Sequence, residues 1–257
     1  MRENPITFTR AICRTPGPTL AAGLTTSDLG APDLDLALAQ HEAYVDALRT
    51  LGLDVTVLEP LPDFPDAHFV EDTAIVLPEV AVIALPGHPS RRGETGPMAA
   101  VLETHRPLAR IEPPGALDGG DVLLVGRQLF VGLSARTNRA GADQLAAIAR
   151  AHGYDCTAVP VPDGLHLKSS VNELGHELLV TQGFAGDERL ADQRKVLVPA
   201  GEEYAANTLR INHTLLTPAG FPGTRAALDR TGMPIVELAL SEMQKLDGGL
   251  TCLSLRF

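Results

Sequence analysis

Cys252, His166 and Asp118 form the residue set with the clearest chemical potential. Cys252 stands five residues from the end, in KLDGGLTCLSLRF; His166 lies between leucines in VPDGLHLKS; Asp118 is the second residue of LDGGD. A thiol, an imidazole and a carboxylate are the parts of a thiol-nucleophile site. The thiolate attacks, the histidine shuttles protons and the carboxylate orients the ring. Each residue also has an ordinary reading. A histidine between leucines suits a buried, hydrogen-bonded side chain. A carboxylate before Gly-Gly satisfies local N–H groups in a turn. A free cysteine in an apolar run is filler.

Further charges sharpen the first reading. Glu71 and Asp72 interrupt an apolar run in FVEDTAIV, and adjacent charges there need partners or water. Asp66 precedes that run, and Asp247 precedes a second Gly-Gly just before Cys252. Glycine lets backbone approach a ligand closely. Carboxylates beyond a triad suit a cationic electrophile. Arginines at Arg91 and Arg136 suit a carboxylate on the same ligand, gripped through paired hydrogen bonds. A cationic head with a carboxylate tail describes an arginine-like amino acid. The same His, Asp and Cys are zinc-ligand types, but no His-x-x-x-His spacing accompanies them, and no metal is expected.

The bulk numbers agree with a small-molecule enzyme. The formal net charge is −11, the reverse of what phosphate contacts require, so nucleic acid is not an expected partner. No apolar run approaches a membrane span or a signal-peptide core. Cys13, Cys156 and Cys252 show no Cys-x-x-Cys spacing, which fits a reducing, cytoplasmic location. The expected partner is a small molecule; the oligomeric state, a homodimer included, stays open.

The elements that must position these residues repeat. Helical patterns fit 31–52, 90–104, 137–152, 187–194 and 222–231, and Leu34, Leu38, Val45 and Leu48 form the apolar face of the first. Each is followed by a short β-like run, at 53–58, 108–112, 154–161, 195–199 and 233–238. Apolar stretches with central turn residues precede four of the helices, at 69–86, 120–134, 165–181 and 207–218. The unit is strand, strand, helix, strand. The first unit is completed if 6–13 pairs with 250–257. Five such units around an axis make a closed α/β propeller over residues 1–257, a single domain, with strand ends converging on one cavity. No glycine-rich phosphate loop supports the alternative of a doubly wound sheet.

The segments FVEDTAIV, PGHPSRRGE, LDGGDVL, FVGLSARTN, VPDGLHLKS and KLDGGLTC resemble those of the dimethylarginine dimethylaminohydrolases, in the guanidino-group modifying superfamily. The likeness runs from about residue 60 to the end. It implies a five-bladed propeller and cofactor-free hydrolysis of Nω-methylated arginine to citrulline and methylamine or dimethylamine, through an S-alkylthiouronium. It implies Cys252 as nucleophile, His166 for proton transfer and Asp118 as its partner. Asp72, with Asp247, would hold the guanidinium. Arg91 and Arg136 would take the substrate carboxylate, and Asp66 with the Leu24 carbonyl the α-amino group. Glu71 and Leu246 would line the pocket. The nearest rival is an arginine deiminase acting on unmethylated arginine, for whose usual helical insertion this chain has little room. A non-catalytic partner-binding propeller would not need Cys, His and carboxylates at these positions.

Overall fold

The computed structural model describes residues 7–162 and 164–257. Ile6, at the start of the expected first strand, and Asp163, in the VPDGLHLKS segment, lie outside them.

Strand β1 (Arg10–Arg14) leads through α1 (Leu34–Thr50) to β2 (Asp54–Leu58), which pairs with it in parallel. The next unit sets β3 (Ala74–Val76) antiparallel to β4 (Ala81–Ile83). A 3-10 turn (Pro89–Glu94) and α2 (Thr95–Leu102) then return the chain to β5 (Leu108–Arg110), parallel to β4. The pattern recurs with β6 (Val122–Val125), β7 (Gln128–Leu133), α3 (Arg139–Arg150) and β8 (Asp155–Pro160). In the next sheet, β9 (Val171–Glu173), β10 (Leu178–Val180) and β11 (Lys195–Leu197) pair in the same way. The last full unit has β12 (Leu209–Ile211), β13 (Thr214–Pro218), α4 (Pro222–Asp229) and β14 (Ile235–Leu238). After a short α5 (Ser241–Gln244), β15 (Leu255–Arg256) pairs antiparallel with β1, Ala11 opposite Arg256. Among the described residues the result is five three-stranded sheets, each open and each with one antiparallel and one parallel pair. The first and last described strands pair, as expected of 6–13 with 250–257.

Local chemistry fixes the helices. The Asp33 carboxylate accepts from the Leu36 N–H, and Asn138 caps α3 through the Gly141 N–H. The buried face of α1 carries Ala37, His41, Tyr44, Val45 and Leu48, a stripe rotated from the expected one, with Leu34 and Leu38 only half-buried. Buried Tyr44 pulls the face round by bonding Ser254 Oγ at 2.6 Å. The expected helix 187–194 is reduced to a 3-10 turn, Glu188–Leu190. Its segment buries Leu190 alone, so no apolar stripe offsets the cost of ordering a helix. Apolar clusters bridge neighbouring sheets: Ile12 and Leu255 pack with Val70, Ala74 and Ile83, and Leu123 and Phe130 with Val171 and Leu178. Among the described residues, no helix is long and apolar enough to cross a membrane.

One feature of the repeats places the site. A 3-10 turn stands just ahead of the antiparallel edge strand of each described sheet: Val70–Thr73, Gly119–Asp121, Leu167–Ser169, Glu203–Ala206 and Thr251–Leu253. Cys252 therefore sits on a turn, not within the expected strand 250–257, which is confined to Leu255–Arg256. The cause lies upstream: Asp247 adopts a left-handed backbone (φ 58°), and the Gly-Gly that follows breaks the extended run.

Candidate active site

Four of these turns carry the candidate chemistry. Asp72 lies on the first, Asp118 immediately precedes the second, His166 immediately precedes the third, and Cys252 lies on the last. Nine of the eleven residues singled out from sequence line one cleft: Leu24, Asp66, Asp72, Arg91, Arg136, His166, Leu246, Asp247 and Cys252. Phe69, Leu165 and Gly248 complete it. Asp118 is fully buried behind His166, and Glu71 points elsewhere.

His166 is held by Asp118, with Nε2 3.0 Å from Oδ2, and lies 3.9 Å from Asp72 Oδ1. Burial disfavours the imidazolium. The Asp72 charge, the Asp118 bond and the Asp121 charge outweigh burial and bring the His166 pKa up to about 9. The ring is thus a proton donor at neutral pH. Burial likewise opposes ionisation of Asp72, but His166, Arg91 and the Gly120 N–H hold its pKa down at about 2. The Cys252 thiol is pushed up to about 12, first by burial, then by the Glu71 and Asp72 carboxylates, against a smaller opposing pull from Lys168. The cysteine rests as a thiol. A cation placed among these carboxylates favours its ionisation.

The remaining residues are placed as follows. Asp66 Oδ1 accepts the Leu24 N–H at 3.0 Å, which brings that pair together. Arg136 is partly open, with Nη1 3.7 Å from Asp118 Oδ2. Arg91 is buried and bonds Asp72, both oxygens of Glu94, and the Asp66 and Phe69 carbonyls. It is therefore a counter-ion to two carboxylates as well as a lining residue. Asp247 Oδ2 accepts the Thr26 N–H (2.6 Å) and hydroxyl (2.9 Å). That contact ties the 24–27 loop to the 245–249 segment. The Glu71 carboxylate turns away from the cleft: Oε1 bonds Lys168 Nζ and Arg256 Nη2, each at 2.7 Å, and the residue borders a separate cavity. The glycines before Cys252 also serve differently than expected. A Cβ on Gly248 would meet the Phe69 ring at 2.2 Å, and one on Gly249 would meet Asn207 Cγ at 2.4 Å. They admit protein side chains rather than leaving room for a ligand.

Asp72, Asp118 and His166 bring one ligand atom each within 4.8 Å of one another, a spacing a metal ion could use. Arg91, Arg136 and His166 already supply the positive charge there. Sequence reading passed over Asp121, Glu94, Lys168 and Asn207. Asp121 had a signal, since it ends LDGGD; its oxygens accept the Leu167 N–H and the Ser134 hydroxyl beside His166. Glu94, three residues from Arg91 on one helical turn, had a spacing signal too. Lys168 and Asn207 had none.

A two-carboxylate, Cys–His cleft lined from the turns of repeated three-stranded sheets has the chemistry of a guanidine-modifying hydrolase. The sequence profile described as "N,N dimethylarginine dimethylhydrolase, eukaryotic" matches residues 33–182. An N(G),N(G)-dimethylarginine dimethylaminohydrolase from Pseudomonas aeruginosa is 42% identical over 253 residues, covering 97% of this chain and 100% of that protein. A structure of the Pseudomonas aeruginosa enzyme, a cysteine-to-serine mutant complexed with citrulline, superposes with a TM-score of 0.96 at 40% identity, over 98% of this chain and all of that one. A crystal structure of a dimethylarginine dimethylaminohydrolase histidine-to-glycine adduct with S-methyl-L-thiocitrulline also gives 0.96, at 41% identity and with the same coverage. The chain belongs to the dimethylarginine dimethylaminohydrolase family.

Proposed function

We propose that this chain hydrolyses Nω-methylated L-arginine to L-citrulline and methylamine or dimethylamine, with Cys252 as nucleophile and no cofactor. The observation that carries it is the convergence of Cys252, the His166–Asp118 pair, Asp72 and Arg136 on one cleft. The relatives' activity and their citrulline and thiocitrulline complexes support the same chemistry.

In this reading the substrate guanidinium lies against Asp72, sharing the carboxylate with Arg91, which keeps Glu94 as a second anchor. Its charge lowers the pKa of Cys252, so the thiol gives its proton to solvent water as substrate binds and the thiolate forms where it is needed. Sγ bonds to the central guanidine carbon. His166 gives its proton to the departing nitrogen, the C–N bond breaks and the amine leaves. The neutral His166 then takes a proton from water, the hydroxide adds, and the C–S bond breaks to release citrulline and the thiol. Arg136 meets the α-carboxylate; Asp66 and the Leu24 carbonyl meet the α-amino group.

We also read the five sheets as blades of one five-bladed propeller and residues 1–257 as one catalytic domain. Contacts of β15 with β3, β6 with β9 and β9 with β12 support a ring, and the Phe8 N–H donates to Asn212 Oδ1 between the last full unit and the first. The test is citrulline formation from dimethylarginine, monomethylarginine, arginine and agmatine, with Cys252→Ser beside the wild type. The methylated amino acids should turn over, and Cys252→Ser should not. Near-wild-type turnover by Cys252→Ser would remove covalent catalysis.

A further inference from the structure

Each of the five 3-10 turns reaches the same region, yet only four bring a residue used in the reaction. The turn Glu203–Ala206 is the exception, and Asn207 is the residue that leaves it. Asn207 is buried, and its amide is saturated by two other turns. Oδ1 accepts the Thr251 N–H at 2.9 Å. Nδ2 donates to Thr251 Oγ1 at 3.1 Å and to the Lys168 carbonyl at 3.0 Å. Thr251 is the neighbour of Cys252, and Lys168 is two residues past His166. One side chain therefore clasps both the nucleophile turn and the acid–base turn. The same unit holds the far end of the nucleophile segment, where the Tyr204 hydroxyl donates to the Gly248 carbonyl at 2.8 Å. Gly249 lies so close to the Asn207 side chain that no Cβ fits between them.

We propose that Asn207 is a positioning residue that sets where Cys252 stands relative to His166. The inference rests on Cys252 and His166 acting as nucleophile and acid. The chemical requirement is particular: one acceptor must face an N–H while two donors face a hydroxyl and a carbonyl. Of the side chains of this size, only a primary amide supplies both. A carboxylate of the same shape keeps the bond from the Thr251 N–H but turns oxygen toward the Lys168 carbonyl. Asn207 touches none of the residues proposed to grip the substrate, so its loss should act on the chemical step and spare binding. Displacing a nucleophile by about 1 Å costs on the order of 100-fold.

The experiment compares Asn207→Asp and Asn207→Ala with wild type in steady-state turnover of dimethylarginine and in single-turnover alkylation of Cys252 by S-methyl-L-thiocitrulline, read by intact-protein mass spectrometry. Rates are normalised to the folded fraction measured by circular dichroism. The expected result is a fall in kcat and in the saturating alkylation rate of about 30- to 100-fold for Asn207→Asp. KM and the half-saturating analogue concentration should stay within about threefold, because the grip on the substrate is intact. Asn207→Ala should give the same split at lower thermal stability; if it does not fold, Asn207→Asp decides. Wild-type kcat per folded molecule in Asn207→Asp, or a rise in KM with kcat unchanged, would overturn the proposal. If wild type itself neither turns over dimethylarginine nor is alkylated, the functional reading fails first, at that control. The rate of Cys252 labelling by iodoacetamide, equal in wild type and both variants, would then count against Asn207 as well.

Discussion

Asp118 holds His166 from behind, its Oδ2 3.0 Å from Nε2 while its Oδ1 accepts the Gly87 N–H at 2.8 Å. The carboxylate is wholly buried, so its charge acts on the ring with little screening. Asp118 thus orients the acid and adds to its proton affinity, which the Asp72 charge raises first and the Asp121 charge also supports.

The first prediction follows from that affinity. The folded pKa of His166, about 9, lies above the unfolded value near 6.5. Protonated His166 therefore stabilises the fold fully below about pH 6.5, and that contribution disappears as pH rises through about 9. The gap in unfolding free energy between wild type and His166→Gln should be on the order of 3 kcal/mol larger at pH 6 than at pH 10. Asp118→Asn removes one of the charges responsible, so the alkaline limb of kcat/KM should move to lower pH. Urea unfolding at both pH values and a pH–rate profile check this; an alkaline limb that stays put in Asp118→Asn would refute the coupling.

Gly120 gives the second. A Cβ there would lie 2.6 Å from His166 Nδ1 and 2.8 Å from Asp72 Oδ1, while the Gly120 N–H holds Asp72 at 2.8 Å. Gly120→Ala must push the acid away from the residue proposed to hold the guanidinium. Turnover should fall about 100-fold in a protein that still folds. Gly96→Ala, where the added methyl meets nothing within 4 Å, should keep its rate and gain up to about 1 kcal/mol in its helix. Kinetics with thermal melts on both variants separate the two cases.

These glycines show what the sequence disclosed and what it withheld. The helical stretches announced the repeat because α1 and α3 are long enough to carry a period, and the strands showed as apolar runs bounded by turn residues. Cys252, His166 and Asp118 were legible because their types break apolar runs. The 3-10 turns that carry them were not, since three residues hold no periodicity. Glu71 and Asp72 read alike in sequence, yet one faces the cleft and the other faces Lys168 and Arg256. Which way each of two adjacent carboxylates turns depends on distant cations: Arg91, 19 positions past Asp72, and Lys168 and Arg256, still further along the chain from Glu71. Asn207 was hidden for a related reason: its partners come from two other sheets, and an asparagine beside Thr carries no local signature.

The Glu71 cluster yields the third prediction. Glu71 Oε1 is shared by Lys168 and Arg256, all three buried or nearly so. Lys168→Met should cost about 3 kcal/mol, because it leaves the carboxylate half-compensated. Adding Glu71→Gln should restore part of that, since the uncompensated charge goes too. Cys252 should report the same cluster with opposite signs. Lys168 eases thiol ionisation and Glu71 opposes it. At fixed pH, iodoacetamide should label Cys252 more slowly in Lys168→Met and faster in Glu71→Gln. Labelling rates that move in the same direction in both would contradict this electrostatic account.

The fourth separates the two arginines. Arg91 bonds Asp72 and Glu94 inside the protein, whereas Arg136 approaches Asp118 only at 3.7 Å and remains partly open. Recognition of the substrate α-carboxylate should therefore rest mainly on Arg136. Arg136→Ala should lower kcat/KM for dimethylarginine by about 2–4 kcal/mol of transition-state stabilisation, roughly 30- to 1000-fold. A dimethylated agmatine, which has the same guanidine head without the carboxylate, should already be poor with wild type and lose little more in Arg136→Ala. The two losses are then non-additive, as expected of one contact removed from either side. Arg91→Ala should behave otherwise. It leaves Asp72 and Glu94 as buried carboxylates without their common partner, so both substrates and the fold should suffer together. Measuring kcat/KM for both substrates across wild type and the two variants decides the matter. Equal losses on both substrates in Arg136→Ala would show that the carboxylate is read elsewhere, and selective loss of dimethylarginine in Arg91→Ala would move that role to Arg91.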